Sequence, residues 1–357
     1  MFQLLERGGL LSCFGLLLQL SACTPVHRDP YAPDVVPRMP SPLGQIYTRA
    51  AQEPGDPVVK KALRELPWDE VLSGVASGLA LDLLQGDEPG AFQIRWRGVL
   101  AAWPYPVLGM RTEQTEYDAI PVRLIEEAKR QASLGMDLGL VRGRSGEGDL
   151  WVLVWSRRTA ELGPIPREPS VGQRVELVGA DFTVVDPLGV RKNLGEGAWV
   201  PSEPGEWLLE ARTPGGQQIT RIPIFVGEAT PLLPPIQKQA TGEPENAAWA
   251  LFSTIRTWYQ LPLPERDPGL DAVARVRLRS LVAGEKPPPA EGMLRSAGYV
   301  DVPVGSAECT ATTVADCLDQ LWWSTEFRAF YQGDWTAVGL ASGLRGDRLV
   351  LAWVAAG

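Results

Sequence analysis

The stretch LGLVRGRSGEGDLWVLVW, Leu138–Trp155, decides how the rest of the chain is read, because VGLASGLRGDRLVLAWVAAG at Val338–Gly357 echoes it. Each has a Gly-Leu pair, a glycine-rich turn and a short apolar run containing Trp. Glycine between two apolar runs is hairpin chemistry, so each stretch predicts two antiparallel strands. The G-x-G-like spacing near Gly143–Gly148 lies between strands and opens no helix. It therefore predicts a turn and not a phosphate cradle. Gly139, Leu140, Gly143 and Gly146 match Gly339, Leu340, Gly343 and Gly346 at an offset of 200. Val152, Leu153 and Trp155 match Val350, Leu351 and Trp353 at an offset of 198.

The echo extends outward. LSGVASGLALDLLQGDEP from Leu72 and LDAVARVRLRSLVAGEKP from Leu270 share six of eighteen positions, again at 198. Three blocks in one order predict that a single α/β unit is present twice. Apolar residues at Val71, Leu72, Val75, Leu79, Leu83 and Leu84 give one helical face, with Asp69 placed as N-cap. Asp267 and Pro268 are placed as cap and first turn of the matching helix. Further helices are predicted over Pro121–Ala132, WALFSTIRTWYQL and TVADCLDQLWWS. Between the copies, RVELVGA, FTVVDPLG, WLLEART and ITRIPIFVG read as short strands separated by Pro and Gly turns. They predict a small Ig-like antiparallel β-sandwich. The expected fold class is thus α+β and multidomain: an α/β unit at 44–160, the sandwich at 161–228, a Pro-rich linker at 229–245 and a second α/β unit at 246–357.

Composition narrows the chemistry. The formal charge of -9 leaves no basic footprint, so no nucleic-acid partner is expected. The single histidine, His27, excludes a Ser-His-Asp triad in the packed part of the chain and a multi-histidine zinc site. Ser73 and Ser324 then have no base. Residues 1–22 carry Arg7 and an apolar run from Leu10 to Leu20, too short to span a bilayer and suited to a signal peptide. Leu20-Ser21-Ala22-Cys23 resembles the lipobox of bacterial lipoproteins. That resemblance implies acylation of Cys23, which then anchors the chain to a lipid bilayer through a Pro-rich tether at 23–43. By resemblance to Gram-negative sorting rules, Thr24 in place of Asp implies the outer membrane, facing the periplasm or the cell surface. Cys309 and Cys317 remain as an even pair in an oxidising compartment, expected as a local disulfide with two free thiols as the alternative.

The C-terminal copy resembles the bacterial branch of the CAP superfamily (cysteine-rich secretory protein, antigen 5, pathogenesis-related 1), also called SCP-like. The residues that carry the resemblance are Ile255-Arg256, Leu261-Pro262-Leu263, Leu270 with Ala274, Ala297-Gly298-Tyr299, Ser324 through Arg328, and Val338-Gly339-Leu340. It implies an α/β/α fold for 246–357 and, more weakly, for 44–160. Family members that bind zinc use two cleft histidines flanked by glutamates. Here Arg277 and Phe327 stand in the histidine positions, so Arg277, Glu326, Phe327 and Arg328 read as a degenerate cleft. No metal and no cofactor are expected. The functional expectation is a non-catalytic envelope lipoprotein with a binding or assembly role toward an envelope protein or a glycan. The alternatives are a carboxylate-dependent hydrolase of cell-wall or extracellular polymer, using Glu291, Asp319 or Glu326, and a hydrophobic-ligand carrier. The aromatic set Trp322, Trp323, Phe327, Phe330, Tyr331 and Trp335 reads as core, with a stacking surface as the second option.

Overall fold

Asp69 and Asp267 start the two matching helices as the sequence requires. In this computed structural model, the Asp69 Oδ1 accepts the N–H of Val71 at 2.9 Å and of Leu72 at 3.3 Å, opening α1 (Glu70–Leu84). Asp267 Oδ1 accepts from Gly269 and Leu270 at 2.6 and 3.0 Å, opening α5 (Pro268–Ala283). The structure describes residues 46–47, 57, 61, 65–116, 119–145, 148–232, 242–324 and 328–357. The leader, Cys23, the tether to residue 43, His27, Glu326 and Phe327 lie outside the described residues.

The first unit continues with α2 (Ala91–Leu100), β2 (Val107–Thr115), α3 (Val122–Ser133), β3 (Met136–Ser145) and β4 (Gly148–Arg157). The last unit is α4 (Pro244–Trp258), β10 (Glu265–Arg266), α5, α6 (Ala290–Ser296), β11 (Val304–Ala311), α7 (Val314–Trp322), α8 (Arg328–Gln332), β12 (Ala337–Arg345) and β13 (Arg348–Ala356). Their sheets run β2-β4-β3 and β10-β12-β13-β11, so the antiparallel order is the same. Even the short parallel entry is repeated. Trp68 bridges Leu138, and Asp69 donates to the Leu138 carbonyl at 2.9 Å. Arg266 pairs with Val338, and Asp267 donates to its carbonyl at 3.0 Å.

The register corrects one detail of the repeat. Gly139 faces Val154, and Gly339 faces Val354, so both hairpin strands stand at the offset of 200. The two-residue step falls between helix and hairpin, not inside the hairpin. Trp155 is therefore not the counterpart of Trp353; Leu153 is. A shift of two keeps a side chain on the same face of a strand, which is why the apolar pattern matched at either offset.

The middle segment departs from expectation. Strands β6 (Val175–Val185), β7 (Arg191–Trp199), β8 (Gly205–Arg212) and β9 (Gln218–Val226) form one antiparallel sheet in the order β7-β6-β8-β9, not two packed sheets. RVELVGA and FTVVDPLG are one strand with an irregularity between Leu177 and Phe182. Helices take the place of the missing sheet. Trp96 of α2 meets Phe225 of β9 at 6.3 Å, Trp258 of α4 at 6.4 Å and Trp322 of α7 at 5.8 Å, all edge to face. Strands β8 and β9 are consequently buried along nearly their whole length. A two-residue ribbon, β1 (Ile46–Tyr47) with β5 (Ile165–Pro166), completes the described strands.

Candidate functional site: a cleft where three parts meet

The packing of α2, β9 and α7 leaves a cleft of about 350 Å³. The first unit contributes Arg95 from α2 and Tyr105 and Val107 from the segment running into β2. The middle sheet contributes Gln218, Arg221 and Ile222 of β9. The last unit contributes Glu308 and Cys309 of β11 and Gln320, Trp323 and Ser324 from α7 and its C-terminal end. The volume lies at the small end of the ~300–1,000 Å³ range of ligand pockets.

Its charged groups are fixed from behind. Arg95 Nη1 lies 3.2 Å from Asp319 Oδ2, and the guanidinium sits over Trp323 at 6.0 Å. Asp319 is buried, and its Oδ1 accepts the Trp323 indole N–H at 2.7 Å. Burial lifts the Asp319 carboxyl to a pKa of about 6, against the pull of Arg95 and the Trp323 hydrogen bond. On the facing wall, Arg221 Nε donates to Glu210, a fully buried carboxylate that also accepts from Arg212 Nε and has Arg191 at 3.8 Å. Burial opposes the Glu210 charge, yet the hydrogen bonds from Arg212 and Arg221 outweigh it and hold the pKa below the ordinary carboxylate value. Glu308 accepts from Arg277 Nη2 at 2.9 Å.

Cys309 and Cys317 form the disulfide that the cysteine count suggested, with Cα atoms 5.4 Å apart. Cys309 lies in β11 and Cys317 in α7, so the bridge ties together two elements of the cleft wall.

Of the four positions singled out from the CAP resemblance, Arg277 and Arg328 lie among the described residues. Arg277 is buried on α5, where it holds the Pro288 carbonyl and Glu308. Arg328 is buried where the middle sheet meets the last unit. Its Nη2 lies 2.6 Å from Glu206 Oε1 and 3.3 Å from the Tyr259 hydroxyl, which accepts the Trp322 indole N–H at 2.9 Å. Burial, and after it the Glu206 charge, hold the Tyr259 hydroxyl well above its ordinary pKa. Burial opposes the Arg328 charge, but Tyr259 and Glu206 outweigh it. Among the described residues Arg277 and Arg328 share no hydrogen-bond partner, and neither is among the residues that line the junction cleft. Glu291 is exposed on α6, paired with Arg295 at 3.3 Å, and lines a different hollow beside Val304 and Ser306. It does not approach the buried Asp319 pair. Ser73 gives its hydroxyl to the Asp69 carbonyl at 2.7 Å.

Other motif residues have structural work. Arg256 is fully buried and bonds the carbonyls of Pro262, Tyr331 and Gly333 at 2.8 to 2.9 Å, stapling the Leu261-Pro262-Leu263 turn to the loop after α8. Trp322, Trp323, Phe330 and Tyr331 are core residues, and Trp335 is half-buried with its indole N–H on the Phe330 carbonyl at 2.6 Å. Among the described residues no three His, Cys, Asp or Glu side chains group as a metal site, and no helix is long and apolar enough to cross a membrane.

Sequence reasoning singled out neither Arg95 nor Arg221. Arg221 was legible only as the one charged residue inside the otherwise apolar strand segment ITRIPIFV. That both line one cleft is a property of the tertiary packing alone.

No family model matches the sequence, and no curated protein matches it. Among solved structures, a cysteine-rich secretory protein from Staphylococcus aureus is similar at 9% identity and a TM-score of 0.26, over 44% of this chain and 56% of that one. The chain thus spans little more than half the length of that protein. An extracellular protein containing an SCP domain from Bacillus anthracis is similar at 13% identity and a TM-score of 0.26, over 62% of this chain and 85% of that one. At such scores neither likeness carries an argument about fold or activity.

Proposed function

We propose that this chain is an exported, lipid-anchored, non-catalytic binding protein of the cell envelope, and that the cleft at the junction of its three parts is the ligand site. The observation that carries this reading is the construction of that cleft. Residues from all three parts line it, and its two arginines are each oriented by a buried carboxylate. Groups locked in this way are ordered before any ligand arrives, which lowers the entropic cost of binding. The same pairing counts against turnover. General acid–base chemistry needs groups free to exchange protons with a substrate. Here Asp319 is committed to Arg95 and Trp323, and Glu308 to Arg277.

The two α/β units are read as degenerate CAP-like units. Support comes from the helix-covered antiparallel sheet that each contains and from the motif residues of the last unit. The anchor rests on Cys23 and its lipobox resemblance, with the outer membrane as the destination. Two measurements test the reading. Incubated with purified peptidoglycan and envelope polysaccharide, the mature protein should generate no new reducing ends or free peptide termini; their appearance would overturn the non-catalytic reading. A clickable palmitate analogue should label the parent and not Cys23→Ala. Label retained on the alanine variant would overturn the anchor.

A further inference from the structure

The middle sheet has one end that is apolar and exposed. The turn from β6 to β7 carries Leu188 and Val190, 72% and 61% exposed. Asp186 accepts the N–H of both, at 2.9 and 2.7 Å, so the backbone that presents them is fixed. Val171 and Val200, also exposed, sit on neighbouring segments, because the Gly172 N–H meets the Pro201 carbonyl at 2.9 Å. The two pairs belong to one end. A Cβ on Gly227 would lie 3.6 Å from both Val171 and Pro204, and a Cβ on Gly205 would lie 3.0 Å from Pro187. Gly205 stands opposite Val226, the last residue of β9. Single exposed aliphatic side chains are ordinary, but four gathered on adjoining turns make a patch.

The chain enters the fold at the same end. Ile46 stands opposite Pro166 and Tyr47 opposite Ile165, in antiparallel pairing. The backbone after β5 runs alongside the end of β9, with Phe225 and Gly227 donating to the carbonyls of Arg167 and Pro169 at 2.8 Å. The direction of β1 is thereby fixed. Traced backwards from Tyr47 to Ile46, it points along 166–169 toward Gly227 and Val171. Cys23 lies 23 positions before Ile46, a reach of at most about 80 Å. An anchor that close confronts this end with bilayer at high effective concentration, so a weak apolar contact suffices to orient the fold.

We infer that this end of the middle sheet, through Val171, Leu188, Val190 and Val200, rests on the lipid bilayer that holds Cys23 and so turns the junction cleft away from it. This rests on the lipid-anchored binding reading above and adds the surface by which the fold meets the membrane. Strand β9 connects the two places. Its last residue, Val226, is at the apolar end, while Gln218, Arg221 and Ile222 line the cleft. Gln218 and Val226 are eight residues apart, roughly 26 Å along the strand. A ligand therefore reaches the cleft from the aqueous side. Glu203 and Glu228 are exposed at the apolar end, so the contact is apolar and not electrostatic. Side chains on separate turns can each dip among lipid head groups, whereas a second copy of the chain needs a self-complementary face.

The test uses the acylated mature chain, reconstituted in vesicles of phosphatidylethanolamine and phosphatidylglycerol. With Cys23 acylated and Cys309 bonded to Cys317, each of the variants Leu188→Cys, Val200→Cys and Gln320→Cys offers one thiol to a nitrobenzoxadiazole probe. Probes at 188 and 200 should shift to the blue and lose emission by about twofold or more to doxyl-labelled lipid, at low and high salt alike. The probe at 320, in the cleft, should do neither. Adding Leu188→Asp and Val190→Asp to the Val200→Cys chain should restore its emission. Unquenched probes at 188 and 200, or equal quenching at 320, would overturn the inference. So would a blue shift without vesicles that grows with protein concentration, which marks a second copy on the patch. A parent that takes up no palmitate label would remove the anchor, and the inference with it, by a separate route.

Discussion

Gly339→Ala is the substitution that probes the architecture most directly. A Cβ at Gly339 would stand 2.1 Å from the Leu270 carbonyl carbon and 2.3 Å from the Asp271 nitrogen. Carbon atoms in contact sit ~3.5–4.0 Å apart, so the first turn of α5 has to retreat by more than about 1 Å. That turn is tied to the same strand by Asp267 N–H on the Val338 carbonyl at 3.0 Å and by Leu340 N–H on Asp271 Oδ1 at 2.8 Å. It also buries Leu270 and Ala274 against the sheet. Overpacking costs about 1–3 kcal/mol and each of the two strained hydrogen bonds about 1 kcal/mol more, giving roughly 3–5 kcal/mol. The counterpart Gly139→Ala meets the Leu72 carbonyl at 2.4 Å and the Ser73 nitrogen at 2.6 Å and should cost a similar amount. Two other matched glycines serve as controls. At Gly343 the nearest atom is Leu278 Cδ2 at 3.3 Å, and at Gly143 it is Leu84 Cδ1 at 3.3 Å, both the ends of mobile side chains. These should lose less than about 1 kcal/mol. Urea unfolding of the four variants gives the comparison. If Gly339→Ala lies within about 0.5 kcal/mol of the parent, or the controls cost as much as Gly139 and Gly339, the close helix–strand contact is not what the two copies share.

Three further outcomes follow from the buried pairs and the bridge. Replacing both Cys309 and Cys317 by Ala removes a short closed loop and should lower stability by about 2–3 kcal/mol, read as a shift of the urea midpoint; no shift would mean that the bridge does not constrain the unfolded chain. Glu206→Gln keeps an acceptor for Arg328 but leaves a buried guanidinium without its counter-charge, so a loss of about 3–5 kcal/mol is expected, and a loss below about 1 kcal/mol would show that water reaches Arg328. Asp319 titrates near 6 in the folded protein, above its unfolded value, so its contribution to stability is full below about pH 4 and is lost as pH rises through 6. Asp319→Asn should therefore gain on the parent by on the order of 1–2 kcal/mol between pH 4.5 and pH 7.5, and a flat difference across that range would contradict the burial of the carboxyl.

The elements legible in the sequence are those with local causes. Asp69 and Asp267 announce their helices because an N-cap acts within three residues. The two hairpins announce themselves through glycine turns, and the cysteine pair through its even count once Cys13 and Cys23 are set aside. The sandwich was misread for a physical reason. Strands β8 and β9 are buried on both faces, the pattern of an inner strand between two sheets, but helices provide the cover. Two elements lacked a local signal. Strand β7 exposes most of its residues and carries two glycines, so no apolar alternation marks it. Helix α2 has Phe92, Trp96 and Val99 at helical spacing, but it begins after Gly90 without any side-chain cap. The cleft was invisible because Arg95, Arg221 and Gln320 belong to three separate parts of the chain, and only the packing of Trp96 on Phe225 and Trp322 brings their elements together.

That tryptophan contact sets a limit on how the chain can be divided. Trp96 is buried by an aromatic ring from each of the other two parts, and Phe92 lies against Trp322 at 5.2 Å. A fragment beginning near residue 246 would keep its own sheet and disulfide, yet would bare Trp258 and Trp322 to water. A fragment stopping near residue 160 would bare Phe92 and Trp96 in the same way. Large exposed aromatic faces drive association, so each half expressed alone should be sticky where the intact chain is not. The repeat looks like two interchangeable modules on paper, but the segment between them has made the copies indivisible: neither can be shuffled, lost or borrowed without unroofing the other.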